Sequence, residues 1–241
     1  MKTVAVVSIK GGTGKSAIAL LLAEYYSGKG KRVLFLDADP QNSSTAYLTG
    51  GETRGELARA LMDEDLTSNR TPIRENLDLV ASALALFKLR TLNPRTLARM
   101  LPEVATVYDY CIIDTAPTLD GLTLNAIHAA DLVLTPSRAD FFDLKTTLFL
   151  QSELQAEEPA AAWRVLPNFY RPARGGDGMA GQLETAYRDA LGDALLPFGM
   201  PATMEIPKTF NLRIPVTKTR KYWTALDELA TFIGSGSWRK K

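Results

Sequence analysis

Short runs of uninterrupted apolar residues alternate along this chain with stretches whose apolar positions recur every three or four residues. The first run, "TVAVVSI" (3–9), ends at glycines and lacks a polar face, the pattern of a strand buried on both sides. Residues 15–29 follow with Ile18, Leu21, Leu22 and Tyr25 at helical spacing; "GKGK" closes that helix, and "RVLFLD" (32–37) begins a second buried strand. Further strands are predicted over 77–82, 109–117, 131–137 and 162–168, with helices around 93–106, 121–129, 143–158 and 178–191. A last amphipathic helix, 222–233, places Trp223, Leu226, Leu229, Ala230 and Ile233 on one face. Strands alternating with helices predict an α/β fold: a mainly parallel, twisted sheet with helices on both faces. No linker or internal repeat divides the chain, so the expectation is one domain over 1–233 and a short flexible basic tail over 234–241.

Composition changes this picture little. The chain has 241 residues, 46% hydrophobic and 23% charged, with a formal net charge of +1. The distribution says more: 1–159 carry 16 Lys/Arg against 20 Asp/Glu, a net of −4, while 160–241 carry 12 against 7, a net of +5. Such asymmetry points to an anionic partner for the C-terminal third or to a solvated basic surface. A single cysteine, Cys111, excludes an internal disulfide framework and reads as a small core residue; the single histidine, His128, reads as structural. No secretory signal and no run of about 18 apolar residues is present, and a cytoplasmic protein is expected.

The chemistry lies in "KGGTGKS" between the first strand and the first helix. Gly11, Gly12 and Gly14 let the backbone approach an anion closely, and the N–H groups entering the helix point at it. Lys15 is placed for the β- and γ-phosphates and Ser16 for Mg²⁺, as in the pattern G-x-x-x-x-G-K-[ST]. That pattern requires a glycine where this chain has Ile9, and the loop opens instead with Lys10.

With its early lysine, the run resembles the deviant Walker A motif of the ParA/MinD family of P-loop ATPases. The resemblance implies that ATP is bound by Lys10, Gly11, Gly12, Thr13, Gly14, Lys15, Ser16 and Ala17, and that two ATP-bound copies pack face to face. Lys10 would then cross to the nucleotide of the other copy and, like an arginine finger, neutralise charge in phosphoryl transfer. "DADPQ" is similar to the family's DxDPQ segment, which implies Asp39 at the attacking water and Asp37 near the metal. "YDYCIIDTAP" ends in a Walker-B-like acid, Asp114, expected on Mg²⁺; Ala116 departs from the family's DxPP. More loosely, "VLPNFYR" and "TMEIPKTFNLRIPV" imply adenine contacts at Asn168 and Pro207. The motif-bearing resemblance covers 1–150.

Within the family, the nitrogenase iron protein and tail-anchored-protein targeting branches need cysteine pairs that one Cys111 does not supply. The resemblance is to the ParA branch: slow, partner-stimulated ATPases that bind DNA non-specifically as ATP dimers and segregate plasmids or chromosomes, or position other cargo, through an adaptor. Arg171, Arg174, Lys208, Arg213, Lys218, Arg220 and Lys221 are the DNA-contact candidates, and nucleoid association is expected when ATP is bound. The chain starts at its first strand, so operator-specific repression is not expected. The alternative is a MinD-like, membrane-associated regulator of the division site. The acids Asp227 and Glu228 in the last helix disfavour that alternative. A metabolic ligase on the same scaffold is a second rival, without a sequence feature in its favour.

Overall fold

The computed structural model describes residues 1–51, 56–138, 140–171 and 179–239. Seven strands, β1 (Lys2–Val6), β2 (Val33–Ala38), β3 (Thr71–Arg74), β4 (Leu77–Val80), β5 (Tyr110–Thr115), β6 (Leu132–Ser137) and β7 (Ala162–Pro167), form one sheet in the order β3-β4-β2-β5-β1-β6-β7. Every neighbouring pair is parallel except β3 with β4. The helices are α1 (Lys15–Gly28), α2 (Ser43–Thr49), α3 (Glu56–Asp63), α4 (Thr96–Met100), α5 (Gly121–Ala129), α6 (Phe141–Glu157), α7 (Met179–Leu191), α8 (Glu205–Asn211) and α9 (Trp223–Ser235).

Alternation along the strands splits the interior in two. Val4, Val6, Val33, Phe35, Ile112 and Leu134 pack with α1 and α9 on one face. Ala5, Val7, Leu34, Leu36, Cys111, Ile113 and Val133 pack with α3, α4 and α5 on the other. Helix α1 is buried on more sides than its three- and four-residue spacing implies, because α9 covers its outer side: the Tyr26 hydroxyl donates to the Ala230 carbonyl at 2.8 Å.

Both sheet edges are blunted. Strand β3 is short, contains Pro72 and shifts register between Pro72 and Arg74. Beyond β7, the Leu196 N–H donates to the Val165 carbonyl at 2.9 Å, so a connecting segment occupies that edge.

Four elements are absent from the sequence reading: α2, α3, α8 and β3. The helix predicted over 93–106 is only α4 followed by a 3₁₀ turn, Leu101–Glu103, where Pro102 removes a backbone donor. At the chain end, Trp238 is 1% exposed; its indole N–H donates to the Ile233 carbonyl at 2.9 Å, and Arg164 reaches its carbonyl. Trp238 is therefore anchored to α9 and β7 within the segment expected as a flexible tail.

Candidate functional site

The glycine loop leaves the C-terminal end of β1 and enters α1 through Gly14, whose φ of 94° is left-handed. A side chain there would be strained, and its Cβ would fall 2.3 Å from Asn168 Nδ2. Asn168 in turn donates to the Thr13 carbonyl at 2.7 Å, locking the end of β7 onto the loop. Two residues 155 positions apart, singled out separately in the sequence, thus meet.

Beneath the loop lie the charges. Lys15 is buried, and its ammonium donates to the Lys10 carbonyl at 3.3 Å. Burial lowers its pKa below the ordinary lysine value, opposed by the negative charges of Asp114 and Asp39. Asp114 at the end of β5 is fully buried, which raises its pKa, and it accepts from Ser44 at 2.7 Å through Oδ2. Its Oδ1 and the Thr13 Oγ1 are buried with no hydrogen-bond partner among the described residues. A carboxylate oxygen and a hydroxyl left bare beside a glycine loop are what a bound cation and anion would complete.

Asp37 pairs in register with Asp114 across β2 and β5. Burial first, and the neighbouring Asp114 charge second, raise its pKa well above the carboxylate range. Its oxygens are engaged by its own loop: Oδ2 accepts from the Thr45 N–H at 2.8 Å and hydroxyl at 2.7 Å, and Oδ1 from the Asp39 N–H at 3.1 Å. Asp39 sits further out; it accepts from the Gln41 N–H at 2.9 Å, and its carbonyl from Ser82 at 2.6 Å. Among the described residues, no group of three or more His, Cys, Asp or Glu side chains could by itself hold a metal.

Asn168 and Pro207 line one small pocket of about 100 Å³ with Gly14, Ala17, Phe169 and Phe210. A larger groove of about 400 Å³ next to it is lined by Ser16, Ser43, Tyr47 and Arg213. The basic candidates are spread unevenly. Arg171, Lys208, Arg213, Lys218 and Lys221 are exposed, and Arg220 is half-buried. Arg213 leans on α2, with Nη2 3.5 Å from the Ala46 carbonyl, and Arg174 lies outside the described residues. His128 meets Glu157 at 3.0 Å, and Cys111 is buried.

Sequence reasoning missed Ser44, Thr45 and Ser82, which bind the acidic loop together, and Asp140 and Asp143, which meet Lys10. The hydroxyl run "NSST" after the acids was the available signal for the first two; nothing local marked the others.

Comparison with known proteins follows the same geometry. The AAA_31 family model, described as an AAA domain, matches residues 1–156. The maintenance of carboxysome distribution protein A of Synechococcus elongatus is 32% identical over 171 residues, 66% of this chain and 68% of that protein. The chromosome-partitioning ATPase Soj of Treponema pallidum is 32% identical over 167 residues, 63% of each chain. Among solved structures, apo McdA from Cyanthece superposes with a TM-score of 0.83 over 98% of both chains at 22% identity, which shows a shared fold. The chain belongs to the AAA domain family AAA_31 and, within it, to the ParA/MinD-type partition ATPases.

Proposed function

We propose that this chain is a Mg²⁺-dependent ATP hydrolase that pairs with a second copy when ATP is bound and, as a pair, binds DNA without sequence preference. Its work is to segregate a plasmid or chromosome, or to position another cargo. The observation that carries this reading is the burial of Lys15 and Asp114 beside the glycine loop, with Thr13 Oγ1 and Asp114 Oδ1 buried and unpartnered among the described residues.

Lys15 binds the β- and γ-phosphates, and the loop N–H groups bind the remaining oxygens. Ser16 and Asp114 hold the magnesium ion, which when bound neutralises charge on those phosphates. Asp37 stands near the metal and, through Thr45 and the Asp39 N–H, shapes the loop that carries Asp39, and Asp39 orients the attacking water. Asn168 and Pro207 flank the adenine in the small pocket, and Lys10 serves the nucleotide of the partner copy. Turnover is slow until an adaptor on the cargo stimulates it; the cargo role itself is supported by relatives named for carboxysome distribution and chromosome partitioning. Lys208, Lys218 and Lys221, exposed on the segment around α8 and before α9, give the pair a basic surface for phosphate backbones, and hence residence on the nucleoid. No helix among the described residues is long and apolar enough to cross a membrane, and the buried Trp238 is engaged in the core, which disfavours a tail that inserts into lipid.

The test is light scattering beside DNA binding, with ATP, ADP or no nucleotide, for wild type and Asp39→Ala. ATP should double the mass and confer binding to unrelated DNA sequences, retained in Asp39→Ala. Affinity should fall with salt at a log–log slope of about −0.9 per phosphate contact. A mass unchanged by ATP, or a pair that ignores DNA at low salt, overturns the reading.

A further inference from the structure

The groove of about 400 Å³ beside α1 has Arg213 for one wall. The Arg213 backbone is left-handed, with φ of 50°, just beyond α8 and its capping residue Leu212. Glycine takes that conformation without strain, and arginine does not. Strain retained where glycine would remove it points to work for the side chain. The guanidinium is not committed to the fold. Nη2 is 3.5 Å from the Ala46 carbonyl, the limit of a hydrogen bond. Arg213 is also the one charged side chain among the described residues that line the groove, so no acid there meets its charge.

We propose that Arg213 binds the α-phosphate of the nucleotide held by its own copy; this deepens, and rests on, the ATP-binding reading above.

The placement follows from two adjoining cavities. The small pocket at Asn168 and Pro207 takes the base, and the glycine loop with Lys15 and Ser16 takes the terminal phosphates. Ala17 and Phe210 line that small pocket and also the groove that holds Arg213, which Ser16 lines as well. In a nucleotide, the ribose and the α-phosphate lie between the base and the β-phosphate, and only the α-phosphate of these two is charged. The first-turn N–H groups of α1 favour an anion from one side of the groove. Arg213 favours it from the other. Tyr47 meets Phe210 edge-on, with ring centres 5.1 Å apart, so the remaining wall is aromatic and offers the guanidinium no rival anion. A guanidinium presents paired N–H groups to phosphate oxygens, and turning toward them gives up only the long Ala46 contact. That use removes Arg213 from the DNA-contact candidates.

The experiment measures nucleotide affinity by calorimetry for the full chain and for Arg213→Gly. ATP and ADP both carry the α-phosphate, so both affinities should fall by the same factor of about tenfold, or 1.4 kcal/mol. A loss confined to ATP overturns the proposal. A purely structural role is separated by the thermal midpoint of the nucleotide-free protein. That midpoint should rise in Arg213→Gly, because backbone strain is relieved; a fall would make Arg213 a strap between α8 and α2 and overturns the proposal. With ATP saturating, the salt slope of DNA binding should be the same in Arg213→Gly and wild type. A slope smaller by about 0.9, with nucleotide affinity intact, returns the residue to the DNA surface and overturns the proposal. A wild type that binds neither ATP nor ADP defeats the ATP-binding reading and this proposal with it. A wild type that binds both, with Arg213→Gly indistinguishable from it, defeats this proposal alone.

Discussion

At the carboxyl ends of β2 and β5 the interior holds Asp37 and Asp114, ringed by Ser44 and Thr45. At the opposite ends of the strands it holds Tyr25, Tyr26, Tyr110 and Trp238. The aromatic end is satisfied: Tyr26 stacks on Tyr110 with ring centres 3.8 Å apart, and the Tyr26 and Trp238 polar atoms each find a carbonyl. The acidic end is not, since two carboxylates face each other and one oxygen has no partner. One end contributes stability to the fold, and the other holds unfavourable charge that a ligand can relieve.

That division can be broken in three places. The largest effect is expected at the aromatic end, where Trp238→Ala should lower stability by about 3–5 kcal/mol through lost burial and a cavity. ATP affinity, measured on protein still folded at low temperature, should stay within about twofold, below the 1.4 kcal/mol of a tenfold change. A matching loss of affinity would show that the two ends are coupled. Next comes Lys15→Ala, expected to slow ATP hydrolysis about 100-fold or more. Because the ammonium it removes is buried, the thermal midpoint of the nucleotide-free protein should not fall; a marked fall would make Lys15 a structural residue. The smallest effect sharpens the contrast: Asp114→Asn should raise the stability of the nucleotide-free protein by about 1 kcal/mol, the scale of one buried, uncompensated polar group. Denaturant melts with and without Mg²⁺ and ATP check this. Loss of stability in both conditions would mean that the carboxylate is satisfied after all.

The sequence made the central strands and the turn into α1 readable because both are local, whereas the aromatic end was not: Trp238 lay in the segment expected as a flexible tail. Uninterrupted apolar runs mark β1, β2 and β5, and Gly14 with Lys15 and Ser16 marks the turn into α1. The elements it concealed are those that tertiary bonds create. Helix α2 has seven residues and no apolar stripe; its place is set by Ser44 and Thr45 reaching Asp114 and Asp37. Helix α8 contains Pro207, which reads as a break, and β3 is a four-residue edge with a proline in it. Within the site, the loop and the acids at the strand ends were legible as residue types, and Asn168 was named although its bond to Thr13 was not. The partners of Lys10 were beyond reach, because Asp140 lies 130 positions away and no periodicity links them.

The blunted edges of the sheet carry a consequence for assembly geometry. A strand with free donors and acceptors invites another strand, and such contacts repeat without limit into fibres. Here Pro72 interrupts one border and the Leu196 backbone fills the other. The face-to-face pairing proposed above would be an isologous arrangement, which uses each copy's surface once and then stops. A molecule with both flanks closed in this way is suited to counting to two: the proposed pair could form and separate many times over without strands adding at the sheet edges.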